Sequence, residues 1–324
     1  MPTLGNTAEG LLDVGDGQRV YWSTSGNPDG KPVLCVHGGP GGGGRDSGRK
    51  GFDPAEFHIT VFDQRGCGRS TPNVANPAVS LEHNTTGHLI ADMERLRTHL
   101  GVEKWLLYGG SWGATLILAY AQRYPERVSE IILVGTFTST VDEVDWLYRG
   151  VGRLLPARWE AFRQAAPDPD GDLLAGYAQL LASPDRAVRL RAAHAWGAWE
   201  DAVISHETLG RPGQYSDRPD DNLVAFARLC AHYYGHHAWL DDGRLLREIH
   251  RLHGIPAVLI HGRHDLGAPL RAAWQLAQAW PDAELIVIDD SGHTGSPAMG
   301  EAVRAAIARF SPAQDPVPEA RPGL

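Results

Sequence analysis

The residues best placed to do chemistry stand in Gly109-Gly-Ser-Trp-Gly113. This Gly-x-Ser-x-Gly run follows the apolar stretch at 105–108 and leads straight into Ala114–Tyr120, a helix-compatible segment. A strand that breaks into a sharp turn and then a helix lifts the side chain at the turn into a cleft. The small residues at 109, 110 and 113 let the backbone turn that tightly. Ser111 is therefore the candidate nucleophile, its hydroxyl presented at the C-terminal edge of a parallel sheet. A bare Gly-x-Ser-x-Gly carries little weight in a chain with 38 glycines, so the flanking strand and helix carry the argument.

A serine hydroxyl is a weak nucleophile at neutral pH and needs a base, which in turn needs an orienting group. Two later strand-like runs end in such groups. Ile255–His261 runs into Gly262-Arg-His-Asp265, and Ala283–Asp289 runs into Asp290-Ser-Gly-His293. The chain order serine, acid, histidine suits a nucleophile on a strand–turn–helix elbow. Asp265 would hold the His293 ring in one tautomer and stabilise the imidazolium formed during attack. Asp142 and Asp145, beyond the strand after the Ser111 helix, are the alternative acids; His261, His264 and the remaining histidines read as packing or surface residues. An oxyanion needs donors, each worth ~3–4 kcal/mol in the transition state. The backbone N–H of Trp112 comes with the elbow, and the loop His37-Gly-Gly-Pro-Gly-Gly-Gly-Gly44 supplies the second, with Gly39 the choice and Gly38 the alternative.

The elements that must position these groups follow from apolar patterning. Lys31–His37, Phe57–Asp63, 105–108 and Val128–Gly135 read as buried strands. Leu89–Leu100 has apolar residues at helical spacing, and a helix after the elbow runs to about Tyr124, closed by Pro125. Alternating strands and helices imply a mostly parallel sheet covered on both faces. Between Thr136 and His250 strand-like runs vanish and helical patterns dominate, with five of the ten tryptophans (146, 159, 196, 199, 239) in this stretch. The expected organisation is a core formed by 1–135 and 251–313, an inserted helical cap over 136–250 that shapes the substrate pocket, and a flexible tail over 314–324.

Bulk properties exclude several classes. The chain has 324 residues, 42% of them hydrophobic and 21% charged, as in ordinary globular proteins. A net charge of −9 without any basic run speaks against nucleic acid or an anionic membrane surface as a partner. No signal peptide is evident at the N-terminus. Three cysteines (35, 67, 230) without CxxC spacing fit a reduced, cytoplasmic compartment and no structural zinc. The glycine loop is followed by no Gly-Lys-Ser/Thr and no G-x-G-x-x-G, so a phosphate-binding reading is weak and no cofactor is expected.

Several stretches together resemble the proline iminopeptidases (prolyl aminopeptidases) of the α/β-hydrolase superfamily. They are His37-Gly-Gly-Pro-Gly, Phe62-Asp-Gln-Arg-Gly-Cys-Gly-Arg-Ser-Thr-Pro72, Asn84-Thr-Thr86, Gly109–Gly113 with Tyr120-Ala-Gln, Pro125-Glu-Arg-Val128, Gly262-Arg-x-Asp265 and Gly292-His293. The resemblance extends from about residue 20 to 310. It implies an α/β-hydrolase fold and a metal-independent serine exopeptidase that removes one N-terminal residue, preferably proline. Trp196-Gly-Ala-Trp199-Glu200 is similar to the family's Trp-x-x-Trp-Glu, whose glutamate binds the substrate's free amine. By itself Glu200 is equally compatible with a solvated helix position. Phe137 and Tyr148 fall where the family has aromatics lining the proline pocket.

Three positions depart from the family pattern: Val134 replaces an arginine, Cys230 a second amine-binding glutamate, and Ala268 a cysteine. Loss of one charge of each sign suggests a roomier, more apolar pocket with a single carboxylate, lined in part by Cys230. The expected substrate is thus a peptide or aminoacyl amide with a free N-terminal amine, carrying proline or another small or apolar residue. Rival readings are removal of an aminoacyl group from a hydrophobic small molecule, a broad carboxylesterase in which Glu200 is dispensable, and a ligand receptor on the same fold.

Overall fold

The computed structural model describes residues 8–43, 47–208 and 213–312. The tail expected over 314–324 lies outside them, as does Gly44 of the glycine loop. Among the described residues eight strands form one sheet: β1 Ala8–Asp13, β2 Arg19–Gly26, β3 Lys31–Val36, β4 Phe57–Phe62, β5 Trp105–Ser111, β6 Val128–Thr136, β7 Ala257–Gly262 and β8 Ala283–Ile288. Their order is β1-β2-β4-β3-β5-β6-β7-β8. The strands from β4 to β8 run parallel, while β1 and β2 are added antiparallel at one edge.

Alternation along each central strand sends successive side chains into two separate cores. Leu34, Val36, Leu107, Ile131, Leu133 and Leu259 join one cluster, and Val33, Cys35, Leu106, Ile132, Val258 and Ile260 the other. The first is covered by α1 (Thr86–His99) and α2 (Trp112–Arg123), through residues such as Leu89, Met93, Leu96 and Ile117. The second is covered by α10 (Pro297–Arg309) with Phe52 and Phe310.

Among the described residues between β6 and β7 the elements are helical: α3 Val141–Tyr148, α4 Pro156–Gln164, α5 Leu173–Leu181, α6 Arg186–Ile204, α7 Asp220–Gly235 and the short α8 Arg244–Arg247, with α9 Arg271–Ala279 following β7. The exit from β6 is set by a capping box, in which Thr140 and Glu143 exchange side-chain and backbone bonds at the start of α3. Side chains of α4–α7 bury Phe162, Tyr177, Trp196, Trp199 and Phe226 in a core continuous with the α1/α2 face of the sheet. Among the described residues no helix is long and apolar enough to cross a membrane.

Candidate active site

Ser111 sits where β5 passes into α2, at φ 55° and ψ −129°, a conformation that L-residues rarely adopt. Such geometry costs about 1–3 kcal/mol and persists only where surrounding packing enforces it. That packing is visible at the neighbouring glycines. A Cβ on Gly109 would lie 2.6 Å from the Val36 carbonyl oxygen, one on Gly110 2.5 Å from that of Val134, and one on Gly113 2.4 Å from that of Val36. The elbow is thus wedged between β3 and β6, and only glycine fits at 109, 110 and 113. The Ser111 side chain makes no capping bond to α2, so its hydroxyl is not consumed by the helix it begins.

Asp265 and His293 meet across the loops after β7 and β8, with His293 Nδ1 donating to Asp265 Oδ2 at 2.7 Å. The other carboxylate oxygen accepts from the N–H groups of Gly267 (3.0 Å) and Ala268 (2.8 Å), which fixes the acid in place. Burial alone would raise the Asp265 carboxyl, but the charge and hydrogen bond of His293, the charge of His261 and the Ala268 N–H outweigh it and hold it below the usual range. For His293 burial works downward, and the charge and hydrogen bond of Asp265, then the charges of Glu207 and Glu200, hold it above the ordinary histidine value. Gly135 passes beneath the pair at φ 56°, and a Cβ there would sit 3.4 Å from both Asp265 Oδ2 and the His293 ring. Asp142 is 88% exposed and Asp145 63%, on α3, so neither competes for the acid's place.

Ser111, His293, Gly38 and Gly39 line one cleft of about 300 Å³, together with Val134, Gln214, Tyr215 and Arg218. The glycine loop presses on the elbow: a Cβ on Gly38 would stand 3.4 Å from Ser111 Cβ. Gly39 has φ +123°, and its carbonyl accepts from the Tyr234 hydroxyl at 2.9 Å. Two side chains, half-buried His37 and buried Gln64, tie this loop to the elbow. His37 Nδ1 donates to the Gly38 carbonyl at 2.8 Å while its Nε2 accepts from the Gln64 N–H at 3.0 Å, which assigns a neutral tautomer. Gln64 Nε2 donates to the His37 carbonyl (2.9 Å), and Gln64 Oε1 accepts from the Trp112 indole N–H (3.0 Å). One side chain therefore bridges the two segments that carry the candidate oxyanion donors.

Glu200 is 2% exposed, not a solvated helix residue. Its Oε1 accepts from the Tyr148 hydroxyl at 2.7 Å and from the Trp196 indole at 3.1 Å. Burial pushes its carboxyl up to about 7, against the lowering effect of those two bonds and of the nearby His293. Phe137, Tyr148 and Cys230 are also buried, and the Phe137 and Tyr148 rings both stand against Tyr234, at 5.8 and 5.6 Å.

The roomy pocket expected around these residues is not open. None of Glu200, Phe137, Tyr148 and Cys230 lines the Ser111 cleft: Tyr148 and Trp196 bond the carboxylate, and the Tyr148 ring is itself packed between Trp196 and Tyr234. Nor are the two charge-losing departures brought together. Val134 packs with the α10-side cluster, whereas the Cys230 thiol lies in the opposite cluster and donates to the Pro40 carbonyl at 3.4 Å, behind the glycine loop. Ala268, the third departure, is a backbone partner of Asp265.

Sequence reasoning passed over four participants. Gln64 lay in the Phe62–Pro72 motif, and Tyr234 directly follows His232-Tyr233. His261, read as packing, is fully buried, accepts from the Thr136 N–H at 3.1 Å and donates to the Ala268 carbonyl at 2.7 Å, bracing the acid's turn. Glu207, beyond α6, bonds the loop that carries His293 and had no signal in the sequence.

Comparison with known proteins places this arrangement. The profile of the alpha/beta hydrolase fold matches residues 31–296. A probable proline iminopeptidase of Streptomyces coelicolor is 46% identical over 308 residues, covering 93% of this chain and 94% of that protein. The proline iminopeptidase of Neisseria gonorrhoeae is 41% identical over 308 residues, covering 94% and 96%. Among solved structures, a proline iminopeptidase of Mycobacterium smegmatis superposes with a TM-score of 0.63 at 19% identity, covering 94% of this chain and 97% of that one. The chain belongs to the proline iminopeptidase family of the α/β-hydrolase superfamily.

Proposed function

We propose that this chain is a serine aminopeptidase that releases an N-terminal proline from peptides through an acyl-enzyme. The catalytic half of the reading rests on strained Ser111 sharing a cleft with the hydrogen-bonded His293–Asp265 pair. Ser111 Oγ attacks the carbonyl carbon of the first residue while His293 Nε2 accepts its proton. Asp265 keeps the other ring nitrogen protonated and stabilises the imidazolium. The N–H groups of Trp112 and Gly39 receive the oxyanion, with Gln64 holding the Trp112 indole and Tyr234 the Gly39 carbonyl. Collapse breaks the C–N bond as His293 returns the proton to the leaving amine. A water then repeats the sequence, its proton passing to His293, and the free amino acid departs.

The observation that carries the exopeptidase half is Glu200: a buried carboxylate in an aromatic surround, near enough to His293 for their charges to interact. A protonated amine in an apolar site needs such a partner. For the amine to reach it, the Tyr148 and Trp196 side chains must yield, so substrate entry opens the helical cap we infer over 136–250. Cytoplasmic placement is supported by three buried, unpaired thiols.

The test is turnover of Pro-, Ala- and Leu-arylamides beside their N-acetylated forms and simple acyl esters, with Ser111→Ala as the blank. Hydrolysis confined to free-amine substrates, prolyl fastest, is the expected result. Preference for leucyl substrates would favour the apolar-residue reading, which Cys230 motivates by standing where the family carries a second glutamate. Equal hydrolysis of acetylated amides would overturn the amine-anchor role, and activity of Ser111→Ala would overturn the nucleophile.

A further inference from the structure

The loop that carries His293 is held from outside the sheet. Glu207 lies in a single turn of 3-10 helix (His206–Thr208) just beyond α6, the helix that carries Glu200. Its Oε1 accepts from the backbone N–H of Thr294 at 2.6 Å and of Gly295 at 3.0 Å, and from the Thr294 hydroxyl. Its Oε2 lies against Gly292, where a Cβ would come within 2.6 Å of that oxygen. A side chain at Gly292 would therefore push the carboxylate away from the loop it holds. One helical segment thus contributes both a carboxylate beside the nucleophile's partner and a carboxylate on the backbone that aims it.

We propose that Glu207 is a positioning residue for the catalytic base. Its carboxylate clamps backbone 292–295 onto the end of α6 and sets a negative charge beside His293. The inference rests on the reading of His293 as base. The charged and titratable groups facing that imidazole are Asp265 and His261 from the β7 end and Glu207 and Glu200 from the inserted helices. Glu207 adds to Asp265 in favouring the protonated ring, so removing its charge lets His293 lose its proton at lower pH. The acid limb of the rate profile then moves down.

The experiment follows the rate of Ser111 labelling by a fluorophosphonate against pH, a readout that needs the base but not the amine site. Glu207→Gln keeps the size and the acceptor and removes only the charge; Glu207→Ala removes the clamp as well. Folding of each is checked by thermal melting, and the Gln variant carries the test alone if the Ala variant does not fold. The expected result is an acid limb at lower pH in Glu207→Gln, and a plateau rate reduced about ten- to a hundredfold in Glu207→Ala, the scale of small misplacements. In Glu207→Ala the KM for free-amine arylamides stays near that of the parent, since Glu200 is untouched. An acid limb left in place in Glu207→Gln would mean a purely structural tie and would overturn the proposal. Parent-like profiles and plateau rates in both variants overturn the proposal while leaving Ser111 chemistry standing. Failure of the parent protein itself to label overturns the underlying serine-hydrolase reading and the proposal with it.

Discussion

At the scale of single residues, Glu200 and Gly135 make opposite demands on their surroundings. Glu200 is a buried acid whose carboxyl is pushed up to about 7, so the empty site holds a mixture of neutral and ionised forms near neutral pH. An ammonium group binds the ionised form. The KM for free-amine substrates should therefore rise as pH falls through about 7, while KM for simple esters stays flat over the same range. A pH series of both substrate types decides this, and parallel profiles would contradict the amine-anchor role. Gly135 instead supplies absence. At φ 56°, with a prospective Cβ 3.4 Å from Asp265 Oδ2 and His293, Gly135→Ala should cost about 1–2 kcal/mol in backbone strain. It should also displace the acid–base pair, so kcat falls well beyond what the lost stability explains, as paired melting and turnover measurements would reveal.

At the scale of elements, the cleft is assembled by loops that reach each other through few side chains. Gln64, on the turn after β4, bonds both the His37 carbonyl and the Trp112 indole. It therefore keeps the glycine loop and the first turn of α2 in register. Gln64→Leu preserves bulk but removes both bonds and leaves the buried Trp112 indole N–H without its partner. We expect kcat to fall about tenfold, less than for loss of an entire oxyanion donor, with KM little changed. A parent-like kcat would show that the loops hold their register without it. Tyr234 on α7 acts on the same loop from above through the Gly39 carbonyl, so the inserted helices and the sheet both contribute to its shape.

At the scale of the molecule, the edge hairpin, the turn after β4 and α1 are joined through Arg65. Its guanidinium meets Asp92 on α1 at 2.5 and 2.8 Å, and also bonds the carbonyls of Val14 and His83. Both partners are fully buried. Arg65→Leu leaves the buried Asp92 carboxylate with only the half-exposed Arg95 at 3.7 Å, and loss of such a buried partner costs about 3–5 kcal/mol. Unfolding in denaturant should show that drop, and Arg65→Leu with Asp92→Leu should recover much of it. Failure of the double variant to recover would mean that the bonds to Val14 and His83, not the ion pair, dominate.

What the sequence by itself determined was the set of groups at strand ends. Ser111, Asp265 and His293 each follow an apolar strand-like run, and the parallel order of those runs sends all three to one edge of the sheet. That inference needs only local patterning and chain direction. The edge strands β1 and β2 were harder to see, because β1 is largely exposed and β2 buries Ser23, Thr24 and Ser25, so neither has a clean apolar signal. Only the tertiary structure decided that Glu200 is sealed beneath Tyr148 and Trp196, that Val134 and Cys230 face different cores, and that Gln64, Tyr234, His261 and Glu207 support the site. These are contacts between residues far apart in the chain, such as Cys230 with Pro40 and Glu207 with Thr294. No spacing along the sequence encodes them, since they exist only once helices and sheet have packed.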